Sequence, residues 1–360
     1  MKDVLAEKLL AKVMDWSPEE IARERADLEV MAKYKYNTYQ QFSPGMRFIE
    51  SLAQWLHQFD ESDRRIAYNF IKNRLLFVSG PEMDQLVSIA YPDVIMPILI
   101  KETAESIKCP VYRVSKIYNS QEFHVLRRQS LFLGLSDGAH IDLFRRANRR
   151  ELSNEQISAL YDVSEDKAKE FRQELKKDIS DIIGRDPENG LCSFKNLFLL
   201  DDFSGSGRSC LRREIYEFKG KLAKIHKMVG EHSKMFSANL LICIIMYICT
   251  QQAIEYLVPL LDGLFDNHFR YELVCIKRIS ENTKIQEGKD AEFIRLMDKY
   301  YDSAVETKHT EVGGTKDVKF GFANCGLPLV LSHNTPNNSV FLLWSYENLK
   351  IRGLINPLVL

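Results

Sequence analysis

Asn196-Leu197-Phe198-Leu199-Leu200-Asp201-Asp202-Phe203-Ser204-Gly205-Ser206-Gly207-Arg208-Ser209 leads an apolar run into two adjacent acids and then into a loop of small residues. An unbroken apolar run of this kind predicts a strand buried on both faces, as in a parallel sheet. Ligands of open α/β sheets bind beyond the carboxyl ends of the strands, where this loop must lie. Gly205 and Gly207 let the backbone approach a ligand closely, and Ser204, Ser206 and Ser209 add hydroxyl donors. The following segment, Cys210–Val229, predicts a helix whose free N–H groups complete an anion site. Two common phosphate loops do not fit. A Walker A loop requires Gly-Lys-Ser/Thr where Gly207-Arg208-Ser209 stands, and a dinucleotide fingerprint requires Gly or Ala where Cys210 stands. Neither accounts for the acid pair.

Two other segments share this strand-then-polar-turn form. Ser130–Ala139 is an apolar run ending in the glycine-bracketed turn Gly134-Leu135-Ser136-Asp137-Gly138, before a helical pattern at Ile141–Asn148 and the basic cluster Arg145, Arg146, Arg149 and Arg150. Guanidinium forks suit phosphate oxygens, although a solvated helix face explains the cluster equally well. Asn324–Asn338 is an apolar run followed by His333-Asn334-Thr335-Pro336-Asn337, a dense set of donors and acceptors. The remaining histidines show no metal-ligand spacing, and G-x-S-x-G and H-E-x-x-H motifs are absent.

Further out, the pattern predicts strands at Val111–Val114, Ser130–Leu135, Asn196–Leu200, Leu240–Cys249, Tyr271–Ile276, Val318–Phe322, Leu327–Leu331 and Val340–Trp344. Helical patterns fall at Asn154–Leu160, Glu165–Ile179, Cys210–Val229 and Gln251–Leu264, and polar loops at Glu281–Asp290 and Thr307–Thr315. This alternation predicts an α/β fold, with a mainly parallel sheet flanked by helices. Residues 1–108 read instead as a helical N-terminal domain, leaving 109–360 for the α/β domain. Ser17-Pro18-Glu19-Glu20 is a capping box, and apolar residues recur at helical spacing from Met46 to Leu56 and, after Ser62, up to Gly80-Pro81.

Composition excludes several classes. A net charge of −1 gives no basic field for nucleic acid, though local patches leave such contact open. Seven scattered cysteines without a C-x-x-C pair argue against a disulfide framework and a zinc site. The amphipathic N-terminus lacks a signal-peptide core, and the apolar run Asn239–Cys249 is too short to span a bilayer. The expectation is a cytoplasmic protein with no membrane partner.

The acid pair and loop resemble the phosphoribosyl pyrophosphate signature of type I phosphoribosyltransferases, with Asp201, Asp202, Phe203, Ser206, Gly207 and Ser209 filling its places without a gap. With the Gly134–Gly138 turn and the His333–Asn338 motif, the chain resembles the phosphoribosyltransferase-like proteins (PRTase-CE type) of prokaryotic conflict and anti-phage systems, over more than half its length. The resemblance implies a type I phosphoribosyltransferase-like core that binds phosphoribosyl pyrophosphate or a related nucleotide with Mg2+. It assigns Asp201 and Asp202 to the ribose and its metal, and Ser204, Gly205, Ser206, Gly207, Arg208 and Ser209 to the 5-phosphate. Gly134, Leu135, Ser136, Asp137, Gly138 and Arg145 would meet pyrophosphate, and His333, Asn334, Thr335 and Asn337 would line an acceptor pocket. It further implies a glycosyltransferase acting as a defence effector, with a partner protein docking on the N-terminal helices. A non-catalytic phosphoribosyl or nucleotide sensor is the competing reading, and a nuclease using the same acids is a weaker third.

Overall fold

Among the described residues of the computed structural model, the strands are β1 Leu76–Val78, β2 Ser130–Gly134, β3 Ile157–Ser158, β4 Phe194–Ser204, β5 Arg212–Arg213, β6 Phe218–Lys219, β7 Phe236–Thr250, β8 Arg270–Ile279 and β9 Leu329–Leu331. The residues described are 3–42, 46–159, 163–214, 217–263, 269–346 and 350–355. Leu160 and Leu264, the expected ends of two helices, lie outside them.

By packing, the chain divides into two compact units, residues 84–279 and residues 1–83 with 280–360. The first holds a five-stranded sheet in the order β3-β2-β4-β7-β8, with every pair parallel. β4 is central, which is why Leu197, Phe198, Leu199 and Leu200 are all fully buried. One face is covered by the helices Glu165–Ile183, Lys221–Glu231 and Gln251–Gly263 through Phe171, Leu175, Ile225 and Leu257. On the other face Phe132 stacks on Phe198 at 5.3 Å and meets Phe144 of the helix Ile141–Ala147. This is the mainly parallel, helix-flanked α/β sheet that the alternation predicts.

The second unit joins the N-terminal helices to the last eighty residues, so the expected boundary at residue 108 does not coincide with the division by packing. Trp55 donates to the Leu342 carbonyl at 3.1 Å, Phe70 stacks on Phe293 at 3.7 Å, and Arg74 pairs with Asp290 at 3.0 Å. β1 pairs in parallel with β9, which ends two residues before His333. The capping box is present: Glu20 N–H donates to Ser17 Oγ, and Ser17 N–H to the Glu20 carboxylate.

Four expected elements take other forms. Val111–Val114 is an exposed turn, with Tyr112 79% accessible, leading into the helix Val114–Tyr118. It has no neighbour to supply a ladder. Val340–Trp344 is a buried helical turn, Phe341–Trp344, because a short all-apolar run satisfies either structure. Val318–Phe322 is broken by Gly321 at φ +76°, and Asn154–Leu160 gives a 3-10 turn followed by β3. The third N-terminal helix ends at Arg74 rather than near Gly80, because β1 intervenes. The two polar loops are partly helical, at Glu287–Tyr300 and Lys308–Val312. The helical run Gly80–Ser106, interrupted by a π segment at Ala90–Ile95, is long and apolar enough to cross a membrane by composition alone; 39% of its most apolar window is buried inside the protein.

Candidate functional site

β4 delivers both acids to the carboxyl end of the sheet. Successive side chains of a strand point to opposite faces, so Asp201 and Asp202 diverge. Asp201 lies with Leu197 and Leu199, on the face covered by Lys221–Glu231, and is 2% exposed. It accepts a short hydrogen bond from Ser136 Oγ and an ion pair from Lys221 Nζ at 2.6 Å. Asp202, 8% exposed, lies on the opposite face against the Gly134–Gly138 turn. A Cβ on Gly138 would stand 2.5 Å from Asp202 Oδ2, so only glycine allows this approach. Tyr247 on β7 fixes the same turn, donating to the Ala139 carbonyl at 2.9 Å. The structure therefore brings the two sequence-distant motifs, 134–138 and 201–209, onto one site.

The loop is held from below. Thr250 Oγ1 donates to the Gly205 carbonyl at 2.5 Å and accepts from Ala253 N–H at 3.0 Å, which also caps the helix Gln251–Gly263. Gly207 has φ +75° and lies against that helix, where a Cβ would meet Leu257 at 2.8 Å. Arg208 sits over the Tyr256 ring at 5.0 Å. The expected helix at Cys210 does not form. Cys210 and Leu211 N–H both close a turn on the Gly207 carbonyl, a β5–β6 hairpin follows, and the helix begins only at Lys221. The turn itself, rather than a helix N-terminus, presents the free donors: among the described residues no backbone carbonyl takes up the N–H of Ser206, Gly207 or Ser209.

A cleft of about 390 Å³ opens beside the 134–138 turn, lined by Ser136, Asp137, His140, Asp142 and Arg146. Arg145 is not among its lining residues. It is held by Asp142 at 3.0 Å and the Ile157 carbonyl at 3.3 Å, leaving Arg146 as the guanidinium at the cleft.

A family model described as PRTase-CE matches residues 52–353, through both compact units and every candidate site residue. The chain belongs to the PRTase-CE family. It is therefore a phosphoribosyltransferase-like protein. No curated protein and no solved structure matches it.

In this PRTase-CE chain nothing in the local sequence pattern marks Lys221, Tyr247 or Thr250, whereas Arg146 belongs to the basic cluster, of which Arg145 is the expected pyrophosphate contact. Lys221 is twenty residues from Asp201 and separated from it by a hairpin, so only tertiary pairing reveals it. The acceptor candidates belong to the other unit, where their bonding is partly structural. Thr335 Oγ1 meets Tyr39 OH at 3.1 Å, Gln41 donates to the His333 carbonyl at 2.6 Å, and the buried Asn338 amide donates to the Phe322 carbonyl at 3.2 Å. Asn337 is exposed.

Two carboxylates with no third fit Mg2+ only as an ion that keeps waters and takes ligand oxygens, because among the described residues no cluster of three metal-ligating side chains exists. Asp201, with Lys221 on one oxygen and Ser136 on the other, leaves Asp202 as the carboxylate better suited to such an ion.

Burial raises the Asp201 carboxyl above its ordinary range; Lys221 lowers it, the neighbouring Asp202 raises it further, and Ser136 lowers it. The folded protein thus holds this proton more tightly than the unfolded chain. Its contribution to stability is present below the unfolded value and declines as pH rises through the folded one. The difference in urea stability between the unaltered chain and Asp201→Asn, followed with pH, checks this; a difference that does not change with pH contradicts it.

Gly207→Ala is expected to cost about 1–2 kcal/mol from the left-handed backbone alone. The contact with Leu257 adds to that cost. Urea unfolding measures the loss.

Proposed function

We propose that the chain binds phosphoribosyl pyrophosphate, or a nucleotide containing the same phosphoribosyl group, and transfers that group to an acceptor. The observation that carries this reading is the convergence of Asp202, the Gly138 turn and the Ser204–Ser209 loop at one strand end. In such a transfer a nucleophile bonds to C1 of the sugar as the C1–O bond to pyrophosphate breaks, and pyrophosphate leaves with the electron pair. No protein nucleophile is required, so catalysis rests on positioning and on stabilising moving charge. In this reading the loop N–H groups and serines hold the 5-phosphate, Asp202 accepts from the ribose hydroxyls, and Arg146 with the 134–138 turn meets the leaving pyrophosphate. Asp202 would hold Mg2+ together with ligand oxygens and water, and the ion would supply charge neutralisation for the leaving group. The setting as a defence effector belongs to the same proposal.

A second reading, a phosphoribosyl sensor without turnover, is favoured by one observation. Asp201 is already committed to Lys221 and Ser136, which leaves a single carboxylate for the ligand. Pyrophosphate release from phosphoribosyl pyrophosphate, measured with bases, nucleosides and nucleic acid as acceptors, separates the two. Release that depends on Asp202 supports transfer; binding without release supports the sensor.

A further inference from the structure

Residues 84–279 hold a second cleft, at the amino ends of the strands. Its volume is about 510 Å³, and it lies at the opposite end of β4 from the acids. Six residues of extended strand separate Asn196 from Asp202, a span of about 20 Å.

Two buried amides line this cleft. Asn196 is 1% exposed and Gln129 fully buried. Gln129 donates through Nε2 to the Leu191 carbonyl at 2.9 Å, but among the described residues its Oε1 has no hydrogen-bond partner, and neither does Oδ1 or Nδ2 of Asn196. The register of β4 against β7 shifts between Phe194 and Asn196, and the N–H groups of Lys195 and Asn196 converge on the Gln129 carbonyl at 2.9 and 3.3 Å. Irregularities of this kind re-aim a side chain.

Buried polar atoms are nearly always paired in folded proteins, so a buried amide with both functions unused at a cleft marks a place for a ligand. The two polar atoms of the Asn196 amide are closed to solvent; turned toward the cleft, they would offer a donor beside an acceptor, the complement of a flat edge with an adjacent acceptor and donor. Nucleobases carry such edges, and asparagine reads them through two parallel hydrogen bonds. Gln129 Oε1 adds an acceptor for an exocyclic amine. Val125, Leu126, Ile183 and Leu191 provide apolar walls for the ring faces, while Arg185 and Lys195 supply cations that would meet an attached phosphate. The volume is that of a small-ligand pocket.

We propose that this cleft is a nucleobase-recognition site, taking a nucleoside or nucleotide separately from the phosphoribosyl site. The test is calorimetric titration with adenosine, guanosine, cytidine and uridine, which lack the phosphate that the loop would hold. The proteins are the unaltered chain, Asn196→Leu, Ser237→Trp and the double variant Asp201→Asn/Asp202→Asn. At least one nucleoside is expected to bind saturably to the unaltered chain and to the acid double variant. Asn196→Leu weakens that binding about tenfold or more. Ser237→Trp places an indole at the cleft from a partly exposed position, and gives the same loss even if Asn196→Leu fails to fold. The proposal is overturned if none of the four nucleosides binds the folded chain. It is equally overturned if binding survives both cleft substitutions, or disappears when the acids are replaced.

Discussion

Asp202→Asn is expected to leave the protein folded while reducing phosphoribosyl transfer by about a hundred- to a thousandfold, the range seen when one preorganised electrostatic contact to a transition state is removed. The substitution keeps the shape of the side chain, so its packing against Gly138 persists. What is lost is a buried negative charge at the strand end, which in the proposed transfer would accept from ribose hydroxyls and meet positive charge developing at C1. Asp201→Asn has a different signature. Removing the partner of Lys221 and Ser136 loosens the link between β4, the 134–138 turn and the helix at Lys221, so that thermal stability and activity change together. Pyrophosphate release and thermal unfolding, measured on both variants, distinguish a carboxylate that touches ligand from one that positions the site.

Gly138→Ala is expected to cost about a hundredfold in transfer, as for a reacting group misplaced by about 1 Å. The added Cβ would lie 2.5 Å from Oδ2 and 2.7 Å from Cγ of Asp202, so either the carboxylate or the turn must give way. Both belong to the site. Gly230→Ala is the control, because nothing lies within 4 Å of its added carbon and it sits in the helix Lys221–Glu231. There alanine is neutral or slightly stabilising, by up to about 1 kcal/mol. Equal losses in the two variants would contradict the placement of Asp202 at the ligand.

The strand-acid-loop segment was legible in the sequence because its meaning is local: apolar residues require burial, adjacent carboxylates at a strand end are rare, and glycines mark close backbone approach. The same locality explains the errors. Cys210–Val229 has enough apolar residues for one helix, yet the Gly207 carbonyl captures two N–H groups, and Arg212–Arg213 pairs with Phe218–Lys219 before the helix begins. The Asp201–Lys221 pair depends on that detour. Association of the last eighty residues with the first eighty-three rests on contacts such as Trp55 with Leu342 and Phe70 with Phe293, which no periodicity encodes. Phe341–Trp344, buried at every position, carried no signal to separate strand from helix. In the sequence Asn196 is only the first residue of an apolar run. Its significance depends on burial without a partner.

The most direct measurement is calorimetric titration of the protein with phosphoribosyl pyrophosphate and Mg2+, in parallel with Asp201→Asn/Asp202→Asn. Saturable binding to the unaltered chain that disappears in the folded double variant is the predicted result. Binding of equal strength to both, or none to the unaltered chain, would contradict a phosphoribosyl site at the end of β4.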